Sequence, residues 1–383
     1  MLINRQIQPL LIEMAGSFPV VTVTGPRQSG KTTLVQMVFP DKDYVSLEDI
    51  DKRSFAKHDP RGFLSNFPHG AIIDEVQHVP EILSYIQTIT DKQKKNGMFI
   101  LTGSNQFQYM KSISQTLAGR TGLLKLLPFS YEEIYKNKYI NSNEVIFNGF
   151  YPRIFDQKIK PELFYSAYLE TYVQRDVRLL LEIKDLMQFH TFVKLCAGRT
   201  GQILNYNSLA NEVGVTNKTI KHWISVLKAS YIIFLLNPFH KNFNKRIIKS
   251  PKIYFIDVGL ASHLLNIENH KQLQTHPLRG ELFETFIVAE FLKLRYNQGK
   301  QDNLYFFRDQ SGNEVDLILE TGNGQDIIEI KSGKTVQQKF FKGLNYYKKM
   351  DTNVHKSCLI IDDDIKEKRT DSIVYGYPFI NKI

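Results

Sequence analysis

The chain has 383 residues and a formal net charge of +10; a hydrophobic share of 42% and a charged share of 23% exclude a mainly disordered chain and a single small module. No apolar run nears the roughly 20 residues that span a bilayer, and Arg5, Gln6 and Glu13 interrupt the apolar start, so a cytoplasmic protein with no membrane partner is expected. The basic balance points to a polyanionic partner, while Cys196 and Cys358 are too few and too far apart for a zinc cluster or a disulfide scaffold and read as reduced thiols.

In chain order, the first 130 residues alternate short apolar runs with helical stretches, the pattern of a parallel α/β domain. Strands are predicted at 20–24, 44–47, 71–74 and 98–102, with helices at 31–39 and 81–94. Between the first strand and the first helix, Gly25-Pro26-Arg27-Gln28-Ser29-Gly30-Lys31-Thr32, followed by Thr33, satisfies G-x-x-x-x-G-K-[ST] at each fixed position. Glycines let backbone N–H groups close round phosphate oxygens, and the helix N-terminus adds unpaired donors. Lys31 is expected on the β- and γ-phosphates of ATP and Thr32 on Mg²⁺. The third strand ends in Asp74-Glu75, which places Asp74 beside the metal and Glu75 where it polarises the attacking water. Asn105, or failing it Ser104, ends the next strand and is expected near the γ-phosphate.

Beyond residue 130 helices dominate. A long helix over 163–181 carries Arg175 and Arg178. Ser208 to Trp223 reads helix, glycine turn, helix, with Tyr231 to Leu236 as a following wing strand: a winged helix by pattern. Lys218, Thr219, Lys221 and His222 would face outward on its second helix, where a DNA reader makes contacts. The acid-free stretch 241–252, with Arg246, Lys249 and Lys252, extends that candidate DNA surface. In the last segment a helix over 280–295 precedes strands near 304–307, 314–319 and 326–330. Asp316 on one strand and Glu329-x-Lys331 on the next form the PD-(D/E)-x-K nuclease arrangement, although Val315 stands where the name has proline. Asp316 and Glu329 would bind Mg²⁺, Lys331 would orient the water, and Glu284, three residues from Glu281 on the helix, would complete the site.

The runs T-V-T-G-P-R-Q-S-G-K-T-T, Y-V-S-L-E-D, A-I-I-D-E-V-Q, L-T-G-S-N and L-A-G-R-T-G-L-L-K-L-L-P-F-S-Y-E-E together resemble the prokaryotic AAA-type ATPases of unknown cellular role. The resemblance continues through 172–177, 256–260 and 279–333. It implies an ATP-binding protein and puts Arg120 at the position of an arginine finger or sensor. The alternative for Arg120 is an ion pair with Glu132 or Glu133.

The expected architecture is therefore an α/β P-loop AAA-type ATPase domain (1–130), a helical linker (131–195), a winged-helix region (196–275) and a restriction-endonuclease-like α/β domain (276–383). The expected function is an ATP-hydrolysing, nucleic-acid-associated switch, with homo-oligomerisation in view. Two alternatives stand beside it: an ATP-gated, Mg²⁺-dependent DNA nuclease, and a signalling or assembly ATPase whose C-terminal half binds protein.

Overall fold

Five parallel strands, the middle three wholly buried, form the centre of the N-terminal region. The computed structural model describes residues 3–104, 116–171, 186–239 and 248–383. Helix α1 (Gln8–Ser17) leads into β1 (Val20–Gly25), α2 (Lys31–Val38), β2 (Tyr44–Ser46), α3 (Ile50–His58), α4 (Pro60–Ser65), β3 (Ala71–Asp74), α5 (Ile82–Gln93), β4 (Phe99–Ser104) and β5 (Thr121–Lys125). The strand order is β2-β3-β4-β1-β5. Strands of this kind, apolar on both faces, require helices on both sides, and α2 and α5 supply them. Val21, Val23, Ile72 and Ile100 pack on Leu34 and Val35 of α2; Ile73, Phe99 and Leu101 pack on Ile82, Leu83 and Ile86 of α5. The fifth strand was not among the sequence expectations. It is an edge strand with one open face, where Leu123 stays exposed, so its short L-L-K run lacks the signature of a buried strand.

The chain folds as two compact units. One comprises residues 1–129 with 229–231 and 295–300; the other comprises the remainder from Ser130 on. In the second unit α6 (Tyr131–Tyr135), α7 (Ser142–Asn148), α8 (Pro152–Asp156), α9 (Pro161–Tyr168) and α10 (Leu186–Ala197) come first. Only the start of the expected long helix lies within the described residues; Arg175 and Arg178 lie outside them. Next come β6 (Gln202–Ile203), α11 (Tyr206–Val213), α12 (Asn217–Ala229), β7 (Ile233–Pro238), β8 (Lys252–Phe255) and α13 (Val258–Leu264). Gly214, at φ +77°, closes α11 in the left-handed conformation that glycine tolerates, and the Thr216 hydroxyl accepts from Thr219 N–H to start α12. Trp223 of α12 lies against Phe189 and Phe192 of α10, with ring centroids 5.5 and 5.1 Å apart.

The remaining elements are α14 (Arg279–Asn297), β9 (Leu304–Arg308), β10 (Glu314–Thr321), β11 (Gly324–Lys331), α15 (Lys342–Met350), β12 (Val354–Ile361), β13 (Lys366–Lys368) and β14 (Ile373–Gly376). Strands β9, β10 and β11 run antiparallel, and β12 returns parallel to β11 through α15. The sequence predicts separate 196–275 and 276–383 domains, whereas one nine-stranded sheet, ordered β13-β14-β12-β11-β10-β9-β7-β8-β6, runs through both. The join is a parallel pairing of β7 with β9, Asn237 opposite Tyr305 and Pro238 opposite Phe306. Both cysteines are buried and free; burial pushes the Cys196 thiol well up and the Cys358 thiol to about 12.

Candidate functional site

The first site lies at the carboxyl edge of the five-stranded sheet. Strand β1 ends at Gly25, where a side chain would meet the Leu126 carbonyl oxygen at 2.0 Å. Gln28 and Gly30 both take positive φ, +61° and +87°, bending the loop back to the start of α2. No side chain caps α2, so its first backbone N–H groups remain available as donors to an anion. Arg5 braces the loop from behind, donating to the carbonyls of Ser29 (2.9 Å) and Leu127 (2.7 Å) while lying over the Phe129 ring. Lys31 is buried and donates to the carbonyls of Gly25 (3.2 Å) and Pro26 (2.8 Å). Burial lowers its pKa, and Glu75 and Asp74 oppose that.

Strand β4 separates β1 from β3, so the end of β3 comes to the same edge. The Thr32 hydroxyl donates to Asp74 at 3.1 and 3.0 Å, one distance to each carboxylate oxygen. Asp74 also accepts from Tyr44 (3.0 Å) and from Thr102 of β4. Burial first, and then the Asp74 charge, push the Tyr44 phenol up to about 12, so it stays a donor at neutral pH. Glu75 sits in the left-handed region at φ +51°. Its carboxylate accepts from Gln77, whose amide also donates to Ser104 (3.1 Å). Two buried polar atoms here have no partner among the described residues: Ser29 Oγ and Gln77 Oε1. These features fit a nucleotide triphosphate with its magnesium. Residues 25–33 would hold the phosphates, Lys31 would neutralise them, and Thr32 and Asp74 would meet the cation, which supplies charge neutralisation at the phosphoryl group.

Asn105 lies outside the described residues; Ser104 is buried at this edge. Arg120 is placed elsewhere. Its carbonyl accepts from Val20 N–H, so it stands at the amino end of β1. Five residues of extended strand, about 17 Å, separate that end from the loop, farther than an arginine side chain reaches. The reading of Arg120 as a sensor of its own nucleotide is therefore corrected. Its expected ion pair is corrected as well: it forms a two-pronged pair with Asp91 (2.6 and 2.9 Å), not with Glu132 or Glu133. Glu133 instead completes the capping box of α6 with Ser130.

The second site lies in the C-terminal unit, in a cavity of about 620 Å³ lined by Lys252, Glu284, Arg308, Glu314, Asp316 and Lys331 among others, with Glu281 also on its wall. Asp316 accepts from Ile330 N–H (2.8 Å) and lies 3.3 Å from Lys331 Nζ, which is 2.7 Å from Glu329. Thus Asp316, Glu329 and Lys331 converge as their alternation on paired strands requires. Burial, and then Asp316, push the Glu329 carboxyl up to about 8. Glu284 reaches the same cavity from α14, but a residue read otherwise from sequence holds it. Lys252 is buried, 2.9 Å from Glu284 and 2.6 Å from Glu314, and the Tyr254 hydroxyl donates to the same Glu284 oxygen at 2.5 Å. Burial acts to lower the Lys252 pKa, but Tyr254, Glu284, Asp316 and Glu314 outweigh it and hold the ammonium well above its ordinary value. Lys252 is therefore not a surface DNA contact as expected, because acids from α14 and β10 draw it inside. Among the described residues no three His, Cys, Asp or Glu side chains are grouped to hold a metal; the ammonium groups stand between the carboxylates. Of the other basic candidates, Lys218, Lys221 and His222 are exposed on α12, Thr219 is half-buried, and Arg246 lies outside the described residues.

Three family models match the chain in series. Residues 17–135 match an AAA domain, 139–271 a domain of unknown function (DUF8612), and 279–380 a domain of unknown function (DUF4143). Residues 17–135, with their phosphate loop and Asp74-Glu75, are an AAA-type P-loop ATPase domain. An uncharacterized protein of Mycobacterium tuberculosis is 27% identical over 322 residues, covering 83% of this chain and 71% of that one. An uncharacterized protein of Methanocaldococcus jannaschii is 23% identical over 363 residues, covering 86% and 77%. Among solved structures, a Walker-type ATPase of Pyrococcus abyssi aligns with 69% of this chain and 96% of its own at 15% identity and a TM-score of 0.42. No helix among the described residues is long and apolar enough to cross a membrane.

Proposed function

We propose that the chain binds ATP with Mg²⁺ at residues 25–33, hydrolyses it with Glu75 as the residue that orients the water, and acts as a nucleic-acid-associated switch. The observation that carries the hydrolytic part is the pair of hydrogen bonds from Thr32 to Asp74, which joins the phosphate loop to the acidic end of β3. A loop that bound nucleotide only for structure would have no need of Glu75 one residue further on, held by Gln77 in a strained backbone conformation. The test compares the wild type with Lys31→Ala and Glu75→Gln. Lys31→Ala should lose nucleotide affinity, and Glu75→Gln should bind ATP yet scarcely turn it over. Normal turnover by Glu75→Gln would remove Glu75 from the role.

The nucleic-acid part rests on α11 and α12, with Lys218, Lys221 and His222 exposed on the second helix, and on the net charge of +10. Duplex binding that weakens steeply with salt, and weakens further in Lys218→Ala/Lys221→Ala, supports it. Salt-insensitive or absent binding points instead to a signalling or assembly ATPase with a protein partner.

A second reading, metal-dependent cleavage of DNA, is favoured by Asp316, Lys331 and Glu284 lining one cavity, with Glu329 paired to Lys331. Nicking of duplex DNA by the full chain with Mn²⁺ and ATP, lost in Asp316→Ala, is its test. Binding without nicking leaves the cavity a place where nucleic acid is held.

A further inference from the structure

We propose that Gln77 is a positioning residue for ATP hydrolysis: its amide ties the Glu75 carboxylate to the end of β4, holding it where it takes the proton of the attacking water. This rests on the hydrolytic reading above and names a residue that reading does not require.

Gln77 lies in the single 3₁₀ turn, Val76–His78, that follows β3. It is 8% exposed. One amide nitrogen spans two strand ends. It donates to Glu75, at the end of β3, and to Ser104 Oγ, at the end of β4, 3.1 Å away. The pairing of β3 with β4, Ile73 opposite Leu101, makes that span possible. The orientation of the amide follows from chemistry: an ionised carboxylate only accepts, so the opposite orientation would set two acceptors face to face.

The nitrogen is thus committed to Glu75 and Ser104, whereas Oε1 has no exposed surface and no hydrogen-bond partner among the described residues, so the nitrogen is the atom that acts on the site. In hydrolysis the water oxygen bonds to the γ-phosphorus as the β,γ-bridging bond breaks; ADP departs with the bond's electron pair, and the water proton passes toward Glu75. A carboxylate already fixed in place takes that proton without first having to be ordered. The left-handed backbone at Glu75, φ +51°, aims the carboxylate at the amide.

The experiment measures kcat for ATP hydrolysis and, separately, the Kd of a fluorescent ATP analogue, in Gln77→Glu, Gln77→Met and Glu75→Gln. Gln77→Glu keeps the shape but replaces the donor by an oxygen; Gln77→Met removes both polar atoms. The expected result is a fall in kcat of about tenfold to a hundredfold in both, the scale of one hydrogen bond to a charged group, with Kd and Tm close to wild type. Wild-type kcat in Gln77→Glu overturns the proposal. Loss of nucleotide binding in step with kcat in both variants also overturns it, because Gln77 would then only support the fold. If Glu75→Gln itself turns over normally, the hydrolytic reading fails first, and that outcome is separate from the other two.

Discussion

The two polar sites of this chain are balanced in opposite ways. At the phosphate loop, Ser29 Oγ and Gln77 Oε1 are buried with no partner among the described residues, and Lys31 is turned onto backbone carbonyls. In the C-terminal site four carboxylates have a cation at hand, although Glu329 Oε2 is itself buried with no hydrogen-bond partner among the described residues. Asp316 and Glu329 share Lys331, and Glu284 and Glu314 share Lys252, with Arg308 3.3 Å from Glu314. The first site is arranged around charge that arrives from outside; the second supplies its own counter-charge. The difference teaches what a metal would have to do in each. At the loop a cation joins Thr32 and Asp74 without displacing any cation. In the cavity it competes with ammonium groups already buried beside the acids.

The comparison can be broken most decisively at Glu75. Glu75→Gln should lower ATP turnover by about two to four powers of ten, the range of general acid–base contributions, with ATP binding retained in an equilibrium titration. Next comes Lys252. Lys252→Met leaves the half-buried Glu284 and Glu314 without their shared cation, which should destabilise the fold by about 1–3 kcal/mol in denaturant unfolding. Added Mn²⁺ should recover part of that loss in the variant and leave nucleotide-free wild type unmoved. If Mn²⁺ stabilises wild type equally, Lys252 does not hold the cation position.

A third experiment sharpens the comparison through pH. The Glu329 carboxyl is raised from 4.5 to about 8 in the fold, so between those values the folded chain holds a proton that the unfolded chain has released. Stability from this residue is therefore greatest at the acid end of that window and declines as pH rises toward 8, by at most about 1.4 kcal/mol per unit. Glu329→Gln should flatten the decline, measured as denaturation midpoints across the window. The smallest effect is expected at Arg120. Its pair with Asp91 is exposed, so Arg120→Ala should leave Tm and the turnover of dilute protein unchanged. A loss confined to concentrated protein, recovered by mixing with Lys31→Ala, would assign Arg120 to a neighbouring copy's nucleotide.

What could be read from the residues alone was whatever is local. The loop from Gly25 to Thr33 and the Asp74-Glu75 pair are contiguous runs whose chemistry depends on neighbours in the chain, and the structure places them at one sheet edge. Asp316, Glu329 and Lys331 were legible because a two-residue repeat on adjacent strands sends side chains to a common face. The rest depends on contacts distant in sequence. Arg5 meets carbonyls as far along as Leu127, and Gln77 gains its role only because β4 brings Ser104 beside β3. Lys252 was misread because a run of like charges normally marks a solvated face. Only the folded chain shows acids from α14 and β10 waiting for it inside. Edge strand β5 escaped notice because a strand with one open face carries a weak pattern.

The pairing of β7 with β9 has a consequence for how this chain can be divided. A cut near residue 275 falls between two matched sequence families, yet it would strip β9 of its neighbour and bare a row of N–H and C=O groups next to Phe306 and Phe307. Exposed edges of that kind invite pairing between molecules. A piece of the C-terminal half that keeps its sheet whole must therefore run from β6 through β14, residues 202–376. Insertions, deletions and gene fusions in relatives should spare that seam even though the family boundaries suggest a joint there.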